Sequence, residues 1–130
     1  MVIGVGIDAV RISKTEKLLK NYGDRFLKKA FTDREIEEGK SRARPGQEFS
    51  AWFAAKEAVQ KAMGAGVFGG IRFKEIEVLA KPGSKPELRL LGQAEKRAAE
   101  MGAEKIHLSL SHEDEYAFAV AVMEGSEGRK

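Results

Sequence analysis

Between Phe49 and Gly66 the chain interleaves large apolar residues with alanines at helical spacing. Phe49, Trp52, Phe53, Val59 and Met63 recur close to i, i+3, i+4, the spacing of a core-facing stripe. Ala51, Ala54, Ala55, Ala58 and Ala62 add helix propensity. Gly64 follows the last periodic residue, as a terminating glycine would. The pattern predicts a helix of about five turns. Glu57 and Lys61 stand four apart on one face of it, at the edge of the stripe. Lys56 falls nearly inside the stripe, where a lysine is costly unless it snorkels or meets an anion.

The same reading organises the rest of the chain. Val2 to Ile7 reads as a buried strand, and Gly4 and Gly6 suggest close approach of another backbone or a ligand. Asp8 closes that strand. A carboxylate there is either a turn or cap residue or a ligand for a hard metal ion. Ser13 and Glu16 are placed to form a capping box for a helix from Lys14 to Asn21, and Thr32 and Glu35 for a second helix ending near Lys40. Phe26, Leu27, Ala30 and Phe31 tie the segment between them to the core. Pro45-Gly46 reads as an exposed turn before the central helix. The glycine-dense run from Gly64 to Gly70 lacks the order and the GK[ST] ending of a phosphate-binding P-loop. Strands are expected at Ile71 to Phe73, Ile76 to Ala80 and Glu87 to Leu91, and a helix from Gln93 to Met101 closed by Gly102. Two more strands follow, Ile106 to Leu110 and Tyr116 to Met123, joined by a polar turn. Residues 1–124 make one domain on this reading, and 125–130 a flexible tail. The sum is an α+β fold, helices packed on a largely antiparallel sheet.

Composition narrows the function. With 130 residues the chain is long enough for one core and too short for two. The absence of cysteine excludes disulfides and thiolate chemistry and fits a cytoplasmic protein. No apolar run is long enough to span a membrane, and the N-terminus reads as a strand, not a leader. The net charge of +3 is modest, but it hides a local patch. Arg11, Lys14, Lys17, Lys20, Arg25, Lys28 and Lys29 face only Glu16 and Asp24 as opposing charges. Such a patch is a solvated helix face or a dock for an acidic partner. It also leaves open a small basic nucleotide- or nucleic-acid-binding module without catalysis, although the aromatics sit at core positions.

Four stretches, in this order, resemble the small phosphopantetheinyl transferases of the holo-(acyl-carrier-protein) synthase family. They are GVGID (Gly4 to Asp8), RFLKKAFTDREI (Arg25 to Ile36), WFAAKEAVQKAMGAG (Trp52 to Gly66) and IHLSLSHEDEYAFAVAV (Ile106 to Val122). The resemblance covers nearly the whole chain. It implies a 4′-phosphopantetheinyl transferase-like fold assembled as a homotrimer, with active sites at the subunit seams. It implies transfer of 4′-phosphopantetheine from coenzyme A to a serine of apo acyl carrier protein, with release of adenosine 3′,5′-bisphosphate, for fatty acid biosynthesis. Mg²⁺ is the implied cofactor, with Asp8 and Glu57 as its ligands. Lys61 is implied at the pyrophosphate. Lys56, Gly64 and His112 are implied coenzyme A contacts, and Lys14 and Arg25 dock the carrier protein. The chain departs from the family pattern at Trp52, at Ala65 and at Glu38-Gly39-Lys40, none of which removes a metal ligand.

These residue types suit that reaction. A pyrophosphate that is being cleaved needs positive charge where negative charge develops, which a hard cation and a lysine supply. The attacking hydroxyl belongs to the acceptor, so the enzyme supplies a base: Glu57 directly, or a water on the cation. Two carboxylates alone make a weak cage, so the metal is expected to bind together with coenzyme A.

Overall fold

A computed structural model describes residues 1–64 and 70–126. Strand β1 (Val2–Arg11) leads directly into helix α1 (Ile12–Tyr22), then α2 (Asp24–Ala30), α3 (Asp33–Lys40) and the long α4 (Pro45–Ala62). A 3₁₀ turn (Phe73–Glu75) precedes β2 (Ile76–Leu79) and β3 (Glu87–Leu90). Helix α5 (Gly92–Met101), β4 (Ala103–His112) and β5 (Tyr116–Gly125) complete the described chain. One antiparallel sheet has the order β1-β5-β4, and β2 and β3 form a separate antiparallel pair. The expected α+β architecture is present.

Helix α4 lies against the inner face of the larger sheet. The register explains why it can. Gly6 stands opposite Ala121 and Asp8 opposite Ala119, so the inner face is paved with small residues. A Cβ at Gly6 would overlap the carbonyl oxygen of Ala58, and one at Gly4 that of Ala62. The two glycines of the first strand are therefore required by the backbone of α4. On its other sides α4 buries Phe49, Trp52, Val59 and Met63. Phe49 stacks at 5.0 Å from Phe31 and at 5.5 Å from Trp52, and aromatic burial of this kind supplies much of a small core.

Five expectations about elements are corrected. Asp8 does not end β1; the strand continues because Ala9 to Arg11 pair with Phe118 to Tyr116 of β5. Ser13 and Glu16 form no capping box, because the strand runs straight into α1 with Arg11 at the N-cap. Glu16 instead packs over Gly46. Pro45-Gly46 is no exposed turn: Pro45 opens α4 at a position where its missing N–H costs nothing, and Gly46 is buried. Residues 71–73 are not a strand, because Glu75 accepts from the Arg72 and Gln93 N–H groups and bends the chain into the 3₁₀ turn. Strand β5 extends past residue 124 to Gly125, which is buried and bonds Met1. The remainder of the expected tail, 127–130, and of the glycine-dense run, 65–69, lies outside the described residues. By contrast, the Thr32–Glu35 capping box is formed in both directions, with Thr32 N–H donating to Glu35 Oε1 at 2.8 Å.

Gly6→Ala tests the seating of α4. Overpacking a close contact costs ~1–3 kcal/mol or more, so the denaturation midpoint should fall accordingly. An unchanged midpoint would mean that α4 does not sit on β1 as described.

Candidate active site

The side chain of Asp8 points inward from β1 toward α4, where Glu57 and Lys61 occupy one edge of the helix. Lys61 Nζ donates to Asp8 Oδ1 at 2.9 Å and to the Ile7 carbonyl at 3.1 Å. Glu57 lines the same cleft as Asp8, near enough for the Asp8 carboxyl to raise its pKa. Asp8 and Glu57 line a cleft of about 640 Å³, whose walls include Arg11, Lys14, Phe26, Phe53 and Tyr116; Lys61 is joined to it through Asp8. The strand and the helix thus bring together three residues that are far apart in sequence.

The charges are coupled. Partial burial pushes the Glu57 carboxyl up from 4.5 to about 7, the Asp8 hydrogen bond and charge push it the same way, and Lys61 and Lys14 oppose the rise. The hydrogen bond to Asp8 and its charge raise the Lys61 ammonium above the ordinary lysine value. Two carboxylates forced together at the edge of water are the arrangement that a hard cation relieves. Among the described residues no group of three or more His, Asp or Glu side chains could hold a metal. A pair of carboxylates such as Asp8 and Glu57 is the donor set of a divalent ion that takes its remaining ligands from phosphate oxygens and water.

The other expected residues are placed as follows. Lys14 is in the cleft wall. Arg25 lines an adjoining groove with Leu18, Tyr22, Phe26 and Lys29, and Leu18 and Phe26 are common to both cavities. Gly64 follows the end of α4 with a φ of +65°, its N–H bonded to the Lys61 carbonyl at 3.0 Å. Arg97 of α5 secures the same helix end, donating twice to the Met63 carbonyl at 3.1 and 3.2 Å. His112 is exposed at the end of β4, 3.2 Å from Gln47 Nε2, and is not among the residues lining the cleft. A single chain does not bring His112 to the carboxylates.

Lys56 is the correction. It was expected to contact coenzyme A, yet it is 0% exposed. Its ammonium donates to Glu35 Oε1 at 2.8 Å, to the Phe73 carbonyl at 2.9 Å and to the Ile76 carbonyl at 2.6 Å. All three N–H groups are used inside the protein, and none remains for a substrate. Burial pulls its pKa below the ordinary lysine value, and the Glu35 carboxylate opposes that. The partner that makes this burial tolerable, Glu35, was legible in the sequence only as a capping residue. Phe53 was legible as a core residue, and its place in the cleft follows from lying four residues before Glu57. Arg11 and Tyr116 meet because they are register partners on β1 and β5, which no local spacing reveals.

The comparisons with known proteins show the family and the fold. The model of the 4′-phosphopantetheinyl transferase superfamily matches residues 4–121. Holo-[acyl-carrier-protein] synthase of Syntrophus aciditrophicus is 43% identical over 125 residues, which cover 96% of this chain and 98% of that one. The crystal structure of holo-[acyl-carrier-protein] synthase from Neisseria meningitidis superposes with a TM-score of 0.86 at 31% identity, covering 95% of this chain and 99% of that one. The Helicobacter pylori holo-[acyl-carrier-protein] synthase in complex with coenzyme A superposes with a TM-score of 0.79 at 28% identity, covering 92% of this chain and 99% of that one. The chain belongs to the 4′-phosphopantetheinyl transferase superfamily, and the relatives it resembles over their full length are holo-(acyl-carrier-protein) synthases. The reading as a basic nucleic-acid module finds no support: Phe31, Phe49 and Trp52 are in the core and offer no stacking platform.

The raised Glu57 pKa gives a pH prediction for the cation-free protein. Folded Glu57 holds its proton up to about 7, whereas the unfolded chain loses it near 4.5. The folded state then binds more protons in this window, so the contribution of Glu57 to stability is full below pH ~4.5 and is lost as pH rises through ~7. Melting curves of the wild type and Glu57→Gln, compared across that window, should show the wild type losing ground as pH rises. A difference that stays constant or moves the other way contradicts the pairing of Asp8 with Glu57.

Proposed function

We propose that this chain transfers 4′-phosphopantetheine from coenzyme A to a serine of apo acyl carrier protein, releasing adenosine 3′,5′-bisphosphate, as a step of fatty acid biosynthesis. The observation that carries the reading is the meeting of Asp8 and Glu57 on one cleft, with Lys61 bonded to Asp8, in a chain of this family. The coenzyme A complex of the Helicobacter pylori relative supports the donor.

In the reaction the serine oxygen bonds to the phosphorus that carries the pantetheine arm, and the bond from that phosphorus to the bridging oxygen breaks. The leaving group departs as adenosine 3′,5′-bisphosphate, and the serine proton leaves toward Glu57. Asp8 and Glu57 would hold Mg²⁺, which would supply positive charge against the pyrophosphate. Lys61 stands at the exposed edge of the pair, where it meets the charge that grows on the departing phosphate. Phe26 and Phe53 give the cleft apolar walls that limit the access of water to the reacting phosphate.

Lys14 and the groove at Arg25 and Lys29 receive the acidic carrier protein. The working form is a homotrimer with active sites at the subunit seams. The support is the outer face of the sheet, where Val5, Ile7 and Phe118 are 59%, 62% and 36% exposed. We assign the protein to the cytoplasm. The lack of cysteine fits that compartment, and no helix among the described residues is long and apolar enough to cross a membrane.

Incubation with coenzyme A, Mg²⁺ and apo carrier protein should add one phosphopantetheinyl group to the carrier, read by intact mass. Glu57→Gln should lower the rate by ~100-fold or more while its circular dichroism stays native, a loss typical of removing a group that acts on the transition state. A wild type that leaves the carrier mass unchanged, or a fully active Glu57→Gln, would refute the assignment. Light scattering should report a trimer for the wild type and a smaller species for Ile7→Lys. A monomeric wild type would remove the seam from the account.

A further inference from the structure

From the geometry around the buried ammonium we infer that Lys56 is a positioning residue that sets the rotation of α4 and thereby holds Glu57 opposite Asp8. The inference rests on the transfer reading above for its kinetic consequence, but not for its geometry. Three observations carry it.

First, the rest of the grip on α4 is apolar packing and close backbone contact. Besides Phe49, Trp52 and Val59, its buried side chains are mostly alanines: Ala51, Ala54, Ala55, Ala58 and Ala62. Burial of such small side chains is favourable but non-directional, and it resists a small turn of the helix weakly. Second, Lys56 supplies directed bonds to three separate elements. It reaches Glu35 on α3, the Phe73 carbonyl in the 3₁₀ turn and the Ile76 carbonyl at the start of β2. Glu35 is itself fixed, because it accepts from the Thr32 N–H at 2.8 Å and the Val78 N–H at 2.7 Å. The anchor therefore does not drift with the lysine. Third, these bonds lie on the far side of α4 from β1. Ala58 and Ala62, whose carbonyls abut Gly6 and Gly4, stand roughly 120–160° round the helix from Lys56. Glu57, at about 100° from Lys56, sits between the two attachments.

The helix is thus gripped from two sides, and Glu57 stands at the edge between them. With side-chain ends about 5 Å from a helix axis, a turn of ~10° moves a carboxylate by on the order of 1 Å. A displacement of that size at a reacting centre can cost about 10²-fold in rate. A second route runs through Phe73, whose ring packs 4.8 Å from Phe53 in the cleft wall. Lys56 holds the backbone on which that ring is carried.

The test uses K56M/E35Q. Methionine keeps the length of the side chain, and glutamine keeps one acceptor oxygen for either the Thr32 or the Val78 N–H, so no buried charge is left unpaired. Two readouts are taken on the folded protein. Turnover should fall by ~10–100-fold per folded molecule, with KM for coenzyme A and for the carrier unchanged. Nuclear Overhauser contacts from Ala58 and Ala62 to Gly6 and Gly4 should weaken, reporting the turn of α4 whether or not the chain transfers anything. Wild-type turnover, or wild-type contacts, in the folded variant overturns the inference. If K56M/E35Q does not fold, Lys56→Arg is read by the same two measurements, since it keeps the positive charge beside Glu35 but changes the geometry of the bonds to the Phe73 and Ile76 carbonyls. A wild type without transferase activity would sink the proposed function and leave the Overhauser contacts to decide the role of Lys56.

Discussion

The close contact between the backbone of α4 and the first strand is the constraint on which the site depends. Gly4 and Gly6 leave no side chain between β1 and the carbonyls of Ala58 and Ala62. At that separation a side chain from the strand and one from the helix edge necessarily meet. Asp8 is the first residue beyond Gly6 to face α4, and Glu57 and Lys61 flank Ala58 along the helix edge. Their meeting is a consequence of packing, and the alanines and glycines that permit it are as much part of the site as the charged groups.

The electrostatics follow from that packing. The two carboxyls are brought together by the contact of strand and helix, and neither can be solvated as it would be alone. The elevated Glu57 pKa records the cost of this arrangement. Lys61 offsets part of it from outside, where it is largely exposed. On the proposed function, a cation and an anionic substrate arriving together would balance these charges. The buried Lys56–Glu35 pair, one residue away along α4, is the opposite case. It is fully satisfied within the fold and has no capacity left for a ligand. Two neighbouring residues of one helix therefore carry charge in different settings, one paired inside the fold and the other at the cleft.

Much of this was legible in the sequence because the signals were periodic or local. The α4 stripe, the Thr32–Glu35 box and the Glu57–Lys61 spacing each lie within a few residues, and the structure shows each of them. What was not legible depended on partners distant in sequence. The extension of β1 past Asp8 needed the register with β5, and the first turn of α4 at Pro45-Gly46 needed the contact with Glu16. Lys56 was assigned to substrate because a motif gives the identity of a residue but not the side of the helix on which its charge finds a partner. Its alternative fate, an encounter with a buried anion, was visible as a physical requirement without the anion being identifiable. His112 shows the same limit at a larger scale, since one chain does not carry it to the carboxylates.

The central claim is that Asp8 and Glu57 form a single divalent-cation site that is completed by phosphate. Paramagnetic broadening of side-chain carboxyl carbons by Mn²⁺, added with adenosine 3′,5′-bisphosphate to carboxyl-labelled protein, tests it most directly. The account predicts that the Asp8 and Glu57 carbons broaden first and together, and far more weakly when the nucleotide is left out. Broadening that begins at other carboxylates, or that reaches only one of these two, would contradict it.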